Sequence, residues 1–208
     1  MGATVVMACR SVQKGEEARV TLEKEIGRDS FASGSTIAGV IAEPPSAGAL
    51  EVMRLDLADL ESVREFAADF KARYKRLDVL VNNAGLGGTH ELTAEGLDLV
   101  FGVNFVGHFA LTAELIPLIE STPAARVVCL PSVMHHFGCA HWDDAMGGHK
   151  GHSDRSTYCD SKLAMVLFAK ISALHTTTEK RRGNTTLPHY MTVWVLRVSL
   201  YKPRTNKA

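Results

Sequence analysis

Neither sign of charge predominates in this chain: 23 basic and 23 acidic side chains cancel over 208 residues, and no long Lys/Arg run is present. That balance excludes the footprint of a nucleic-acid-binding surface. Cysteine is scarce, with Cys9, Cys129, Cys139 and Cys159 scattered and no C-x-x-C pair, which predicts reduced thiols in a cytosolic-type compartment rather than a disulfide framework. No run approaches the roughly 20 apolar residues of a membrane span; the longest candidate, Leu163 to Leu174, is interrupted by Lys170. The start, Met1-Gly2-Ala3-Thr4-Val5-Val6, lacks the charged head and apolar stretch of a secretory signal, and Val6 sits where a myristoylation signal wants Ser or Thr. A cytoplasmic chain without a membrane span is therefore expected. Internal repeats and a credible linker are missing as well. What is present, 46% hydrophobic and 22% charged residues, rules out disorder as the dominant state and suits one domain with a sizeable core.

Along the chain, short apolar runs alternate with helical patterns. Ala3 to Cys9 reads as a strand, and Ser11 caps a polar helix that Gly27 is expected to stop. Residues 28–49, with Pro44-Pro45, read as a loop. Leu50 to Leu55 is a second strand candidate. Asp59 then caps a helix whose Leu60, Val63, Phe66, Ala67, Phe70 and Tyr74 share one stripe. Leu77 to Val81 is a third strand candidate, and Glu95 to Ser121 a long helix that Pro117 should kink or break. Arg126 to Leu130, a helix from Thr157 to about His175, and a strand from Met191 to Val198 complete the pattern, with residues 176–189 as a surface excursion. Strands and helices in this alternation predict an α/β fold, a parallel sheet covered by helices on both faces.

Ligands of open parallel sheets bind at the carboxyl ends of the strands. The residues there are Arg10 and Ser11, Asp56, Asn82-Asn83-Ala84-Gly85, and Ser132. In the helices lie Asn104 and Tyr158-x-x-x-Lys162, whose spacing puts phenol and ammonium on one helix face. A cation near a phenol favours phenolate and lowers a pKa that is about 10 when unperturbed. Such a tyrosine can exchange a proton near neutral pH. By itself Y-x-x-x-K describes many surface pairs; combined with the strand-end residues it describes a site.

The sequence resembles the short-chain dehydrogenase/reductase family, and within it the retinol-dehydrogenase-like branch. The likeness rests on Met7-Ala8-Cys9-Arg10-Ser11, Leu55-Asp56-Leu57-Ala58-Asp59-Leu60, Val81-Asn82-Asn83-Ala84-Gly85 and Val103-Asn104-Phe105-Val106-Gly107-His108-Phe109. Ser132 with His135-His136-Phe137-Gly138, and Tyr158-Cys159-Asp160-Ser161-Lys162-Leu163-Ala164, complete it in family order over roughly residues 2–175. The resemblance implies a Rossmann-type doubly wound sheet and an NADP(H)-dependent oxidoreductase interconverting a carbonyl and an alcohol on a small, lipophilic, retinal-like substrate. It implies Tyr158 as general acid and Lys162 as the residue that lowers its pKa and holds the nicotinamide ribose. Ser132 would hold the substrate carbonyl oxygen. Asn104 would bend its helix and hold a water in a proton relay. Asn82, Ala84 and Gly85 would line the cofactor cleft, and Asp56 would accept from the adenine amino group. Arg10 would pair with a 2′-phosphate, favouring NADP(H). A homodimer through the helices of Asn104 and Tyr158 is a further implication.

The likeness also implies differences. Family members begin with a strand and a T-G-x-x-x-G-x-G loop, to which nothing here corresponds, and Gly2-Ala3 matches the end of the helix that follows. After Val195-Leu196 the family's Pro-Gly turn, last strand and substrate-covering helices have no counterpart, and Pro131 replaces the first of two serines. The expectation is thus one incomplete dinucleotide-binding domain over residues 1–208, without the first βα unit and the last strand. Loss of a strand central to the 3-2-1-4-5-6 order leaves two unpaired edges. The alternative is a truncated, catalytically silent member or a fragmentary gene model. A rival constellation, His135, His136, Cys139, His141, Asp143, Asp144, His149 and His152, has the density of a zinc site but not its spacing, so no metal is expected.

Overall fold

The computed structural model describes residues 3–32, 49–89, 91–139, 154–181 and 191–193. The elements are β1 (Val5–Cys9), α1 (Val12–Ala32), β2 (Leu50–Arg54), α2 (Leu60–Arg73), β3 (Val79–Asn82), α3 (Leu99–Ser121), β4 (Arg126–Cys129), α4 (Asp154–Arg181) and β5 (Met191–Val193). They fall into two compact units, Met1–Asp56 and Leu57–Ala208.

In the first unit β1 and β2 pair in parallel, with Val5 opposite Leu50 and Cys9 opposite Arg54. The Ser11 hydroxyl accepts from the Lys14 amide at 3.4 Å, which caps α1. The helix does not stop at Gly27; it runs to Ala32. A glycine inside a helix costs only about 1 kcal/mol relative to alanine, and its neighbours outvote it. Residues 28–32 are accordingly helix rather than loop, and the rest of the expected loop, 33–48, lies outside the described residues.

The second unit carries a parallel sheet of order β3-β4-β5, with Val79 opposite Arg126, and Val127 opposite Met191. Among the described residues the strands thus form two parallel sheets, not one. On α2, Asp59 accepts from the Glu61 and Ser62 amides at 2.9 and 3.3 Å, a cap whose loss costs about 1 kcal/mol. Val63, Phe66, Ala67 and Phe70 form its buried stripe, with Leu60 and Tyr74 at its half-buried margins.

The helix expected from Glu95 begins instead at Leu99, capped by Asp98, which accepts from the Phe101 amide at 3.0 Å. Gly96 has φ +78°, a left-handed conformation that a helix interior excludes. Glu95 is diverted to the first turn of α2, where its carboxylate accepts from the Leu60 amide at 2.6 Å. Pro117 does not break α3, which continues to Ser121. Both Pro117 and Ala113, whose carbonyl loses its helical partner to the proline, lie on the exposed face. Within α3, residues Gly102–Val106 form a π-helical turn around Asn104. Leu99–Ser121, 23 residues with an 18-residue window of mean hydropathy 1.6, is long and apolar enough to cross a membrane, although half of that window is buried inside the protein. This corrects the expectation that Leu163 to Leu174 is the longest apolar candidate; Asn104, His108 and Glu114 interrupt α3 and hide it from a search for unbroken runs. Phe105 and Phe109 of α3 pack edge-on against Phe168 of α4 at 6.3 and 5.2 Å between ring centroids. The helix expected from Thr157 to His175 extends from Asp154 to Arg181, taking in part of the expected 176–189 excursion. The last strand ends at Val193 within the described residues, and 194–198 lie outside them.

Candidate active site

Because β3 and β4 run parallel, with Asn82 opposite Cys129, their carboxyl ends lie side by side. Asn82 is buried there and donates from Nδ2 to the Thr112 hydroxyl at 3.0 Å, while its carbonyl accepts from the Leu130 amide at 3.1 Å. Thr112 in turn donates to the His108 carbonyl at 2.8 Å. The strand end is thereby tied to α3 through a side chain that an apolar residue could not replace.

The segment following β3 is held peptide by peptide. The Ala84 carbonyl accepts from His108 Nε2 at 2.9 Å. Asn104 accepts from the Leu86 amide at 2.8 Å through Oδ1 and donates to the Leu86 carbonyl at 3.0 Å through Nδ2. The same Nδ2 donates to Ser161 Oγ at 3.1 Å, and Ser161 donates to the Tyr158 carbonyl at 2.7 Å. Asn104 is fully buried, and all three bonds converge on groups flanking Tyr158 and Lys162. Gly85 lies inside this frame: a Cβ there would stand 3.1 Å from Asn104 Oδ1 and 3.2 Å from Lys162 Nζ. A side chain there would oblige the Asn104 amide or the Lys162 ammonium to give way by a few tenths of an ångström.

On α4, Tyr158 and Lys162 share a face, with Nζ 5.6 Å from the tyrosine ring centroid. Lys162 donates to the Leu130 carbonyl at 3.4 Å. It is 5% exposed, and burial holds its pKa below the ordinary lysine value. Ser132 lies two residues further along, half-buried, as the cap of a 3₁₀ turn over Val133–Phe137. Its hydroxyl accepts from the Met134 amide at 3.3 Å and its carbonyl is bound by His135 Nδ1 at 2.6 Å. The Asp160 carboxylate accepts from the Cys139 amide at 2.6 Å, fastening the end of this segment to the turn of α4 that carries Tyr158.

The second unit therefore brings together Asn82, Ala84, Gly85, Asn104, Tyr158 and Lys162, with Ser132 following the same strand as Leu130. Arg10 and Asp56 belong to the first unit; Arg10 is exposed just after β1 and Asp56 half-buried two residues after β2. Of the rival metal constellation, the His135 and His136 rings lie tilted against each other at 4.0 Å, Cys139 is exposed, and His141, Asp143, Asp144, His149 and His152 lie outside the described residues. Among the described residues no group of three or more His, Cys, Asp or Glu side chains could hold a metal ion.

Two residues of the frame, His108 and Ser161, stand in the motifs quoted above but were given no role in the site from the sequence. Their signals were positional: His108 follows Asn104 by one helical turn, and Ser161 precedes Lys162. Burial holds the His108 pKa at about 4, with the Lys162 charge adding to the effect and the Ala84 carbonyl opposing it. The unfolded chain takes up a proton near pH 6.5 and the native one does not until about pH 4. Stability is thus full above about pH 6.5 and falls on acidification towards pH 4, by about 3 kcal/mol from this group. Urea denaturation at pH 7 and pH 4.5, with His108→Gln as reference, is expected to show the steeper acid loss in the unsubstituted chain. Burial also pushes the Cys129 thiol up to about 11, so it is no nucleophile at neutral pH.

A family model described as short chain dehydrogenase matches residues 32–195, a span that holds every residue of this frame. The chain belongs to the short chain dehydrogenase family. Retinol dehydrogenase 11 of Mus musculus is 38% identical over 170 residues, which cover 81% of this chain and 48% of that protein. Retinol dehydrogenase 12 of Homo sapiens is 39% identical over 170 residues, again 81% of this chain and 48% of that protein. The chain spans about half the length of these curated relatives. The crystal structure of an uncharacterised protein from Mycobacterium Paratuberculosis superposes with a TM-score of 0.66 at 34% identity, over 86% of this chain and 55% of that one. The parallel sheets and helices are those of the short chain dehydrogenase Rossmann-type fold.

Proposed function

We propose that this chain is an NADP(H)-dependent oxidoreductase interconverting a carbonyl and an alcohol on a small lipophilic aldehyde or ketone. The observation that carries the reading is the Lys162 ammonium beside the Tyr158 ring, 5.6 Å from its centroid, with Gly85 so placed that a Cβ there would stand 3.2 Å from the same nitrogen. The residues present fit a nicotinamide nucleotide: Gly85 leaves open the space a Cβ would fill, and among the described residues Lys162 makes one long bond, at 3.4 Å, with donors to spare for ribose hydroxyls. A bound reduced nicotinamide would supply the hydride that reduces the carbonyl carbon. Tyr158 donates its phenolic proton to the carbonyl oxygen, with the Lys162 ammonium held over its ring. Ser132 Oγ donates to the same oxygen as negative charge develops on it. Asn82, Ala84 and Gly85 line the cofactor side, and Asn104 holds the frame and the relay water. Asp56 receives the adenine amino group.

Arg10 supports NADP(H) over NAD(H), because a guanidinium suits a 2′-phosphate as a hydroxyl acceptor would not. The names of the relatives, retinol dehydrogenases, support a retinal-like substrate. Free thiols at all four cysteines support a reducing, cytoplasmic setting. Exposed Phe109 and Ile116 on α3 and Ile171 on α4 support pairing of two copies, and residues 1–208 are read as dinucleotide-binding domain throughout. Cofactor choice is tested by calorimetric titration of the folded protein. NADPH is expected to bind, and Arg10→Ala to weaken it about tenfold or more while leaving NADH unchanged. Equal affinity for the two cofactors in the unsubstituted chain would contradict the assignment of Arg10.

A further inference from the structure

His108 carries no part of the chemistry above, yet it is placed at the heart of the frame. It is 3% exposed and reaches across from α3 to the segment after β3, with Nε2 2.9 Å from the Ala84 carbonyl. A carbonyl oxygen only accepts, so Nε2 must bear the proton. The other ring nitrogen, Nδ1, is sealed from solvent and has no hydrogen-bond partner among the described residues. In the neutral ring Nδ1 is a bare lone pair; in the cation it would be an N–H without an acceptor, on a ring already within the field of Lys162. Geometry and charge agree on one tautomer. The backbone behind the ring is fixed as well, since Thr112 donates to the His108 carbonyl and accepts from Asn82.

Resting on the oxidoreductase reading of this site, we propose that His108 is a positioning residue: as the uncharged Nε2–H tautomer it clamps the Ala84 carbonyl and so keeps the Gly85 backbone against Lys162 Nζ. The link is covalent and short. Ala84 and Gly85 share a peptide unit, and the Gly85 position lies within van der Waals reach of both Nζ and Asn104 Oδ1. Asn104 fixes the far side of that unit through Leu86, and His108 fixes the near side. Two side chains one helical turn apart thus hold consecutive parts of the same segment. The imidazole does so without bringing a second positive charge next to the ammonium. The groups facing it are the Ala84 carbonyl, Lys162 across the frame and, through Thr112, the amide of Asn82. An arginine or lysine could reach the same carbonyl, but its charge would repel Lys162. A leucine would fill the space and leave the carbonyl unclamped.

Two measurements decide the matter. Long-range 1H–15N NMR of the full chain labelled in histidine is expected to show His108 as the Nε2–H tautomer, unchanged from pH 8 to pH 5, whereas an unperturbed histidine titrates near pH 6.5. The kinetic comparison is His108→Gln, which retains a donor near the ε position, against His108→Leu, which does not. His108→Leu is expected to raise the NADPH KM about tenfold with a smaller change in kcat, and His108→Gln to recover most of that loss. An Nδ1–H tautomer, a titration near pH 6.5, or equal KM values for the Gln and Leu variants would overturn the clamp. If His108→Leu fails to fold, the tautomer and the Gln variant still decide it. A chain that shows the tautomer but reduces no carbonyl refutes the oxidoreductase reading and with it any catalytic use of the clamp, while a titrating His108 in an active enzyme refutes the clamp alone.

Discussion

Tyr158→Phe is expected to lower NADPH-dependent carbonyl reduction by about 10²–10⁴-fold, the span that a positioned general acid contributes. The substitution removes one oxygen and little else. Phenylalanine keeps the ring that lies 5.6 Å from Lys162 Nζ, and the backbone carbonyl that Ser161 binds at 2.7 Å is untouched. NADPH affinity and the thermal midpoint should therefore stay close to those of the unsubstituted protein, which separates loss of the proton donor from loss of the fold. Absorbance at the nicotinamide band with a lipophilic aldehyde as substrate gives the rate. A loss smaller than about tenfold would mean that another group, or water, delivers the proton.

Asn104→Leu is expected to destabilise the second unit by about 3 kcal/mol or more. Leucine has the branching of asparagine but more bulk, so in this fully buried position overpacking adds to the loss of hydrogen bonding. Three bonds vanish together: the Leu86 amide loses its acceptor, and the Leu86 carbonyl and Ser161 Oγ lose their donor. Each group left without a partner in a buried setting costs roughly 1–3 kcal/mol. The π-helical turn of Gly102–Val106 that presents the asparagine gives away regular helical bonding, and the three side-chain bonds offset that cost. Denaturant unfolding monitored by near-ultraviolet dichroism measures the difference. A change below about 1 kcal/mol would show that the frame is held from elsewhere.

The strands were legible because parallel strands read as short apolar runs, and Val5–Cys9, Leu50–Arg54 and Arg126–Cys129 lie inside the expected segments. The stripe on α2 was legible because Val63, Phe66, Ala67 and Phe70 recur at helical spacing. Ends were harder to read. Gly27 looks like a stop and is not, whereas Gly96 looks neutral and sets the start of α3, because the left-handed φ of Gly96 is imposed by a turn in which the Thr93 amide donates to the Leu97 carbonyl. Local sequence does not encode that choice.

The site was partly legible for a different reason. Tyr158 and Lys162 declare themselves by spacing on one helix, and Asn82 to Gly85 by position after a strand. His108 and Ser161 do not, since their partners lie 24 and 57 residues away in the chain: the Ala84 carbonyl for one, Asn104 Nδ2 for the other. Their roles are hydrogen bonds to backbone and to an amide, which leave no compositional trace. The opening charge balance acquires a local meaning as well. The frame holds Lys162 buried beside a histidine kept neutral, so the absence of net charge in the whole chain is matched by careful control of charge at one place.

The central claim, that this frame supports reduction of a carbonyl by a nicotinamide, is tested most directly by following the transferred atom. The folded chain is incubated with NADPH dideuterated at the nicotinamide C4 and a retinal-like aldehyde, and the alcohol is analysed by mass spectrometry. The predicted result is an alcohol carrying one carbon-bound deuterium, formed by the unsubstituted chain and nearly absent with Tyr158→Phe. No deuterated alcohol above the protein-free control, from protein shown to be folded and across aldehyde and ketone substrates, would contradict the account.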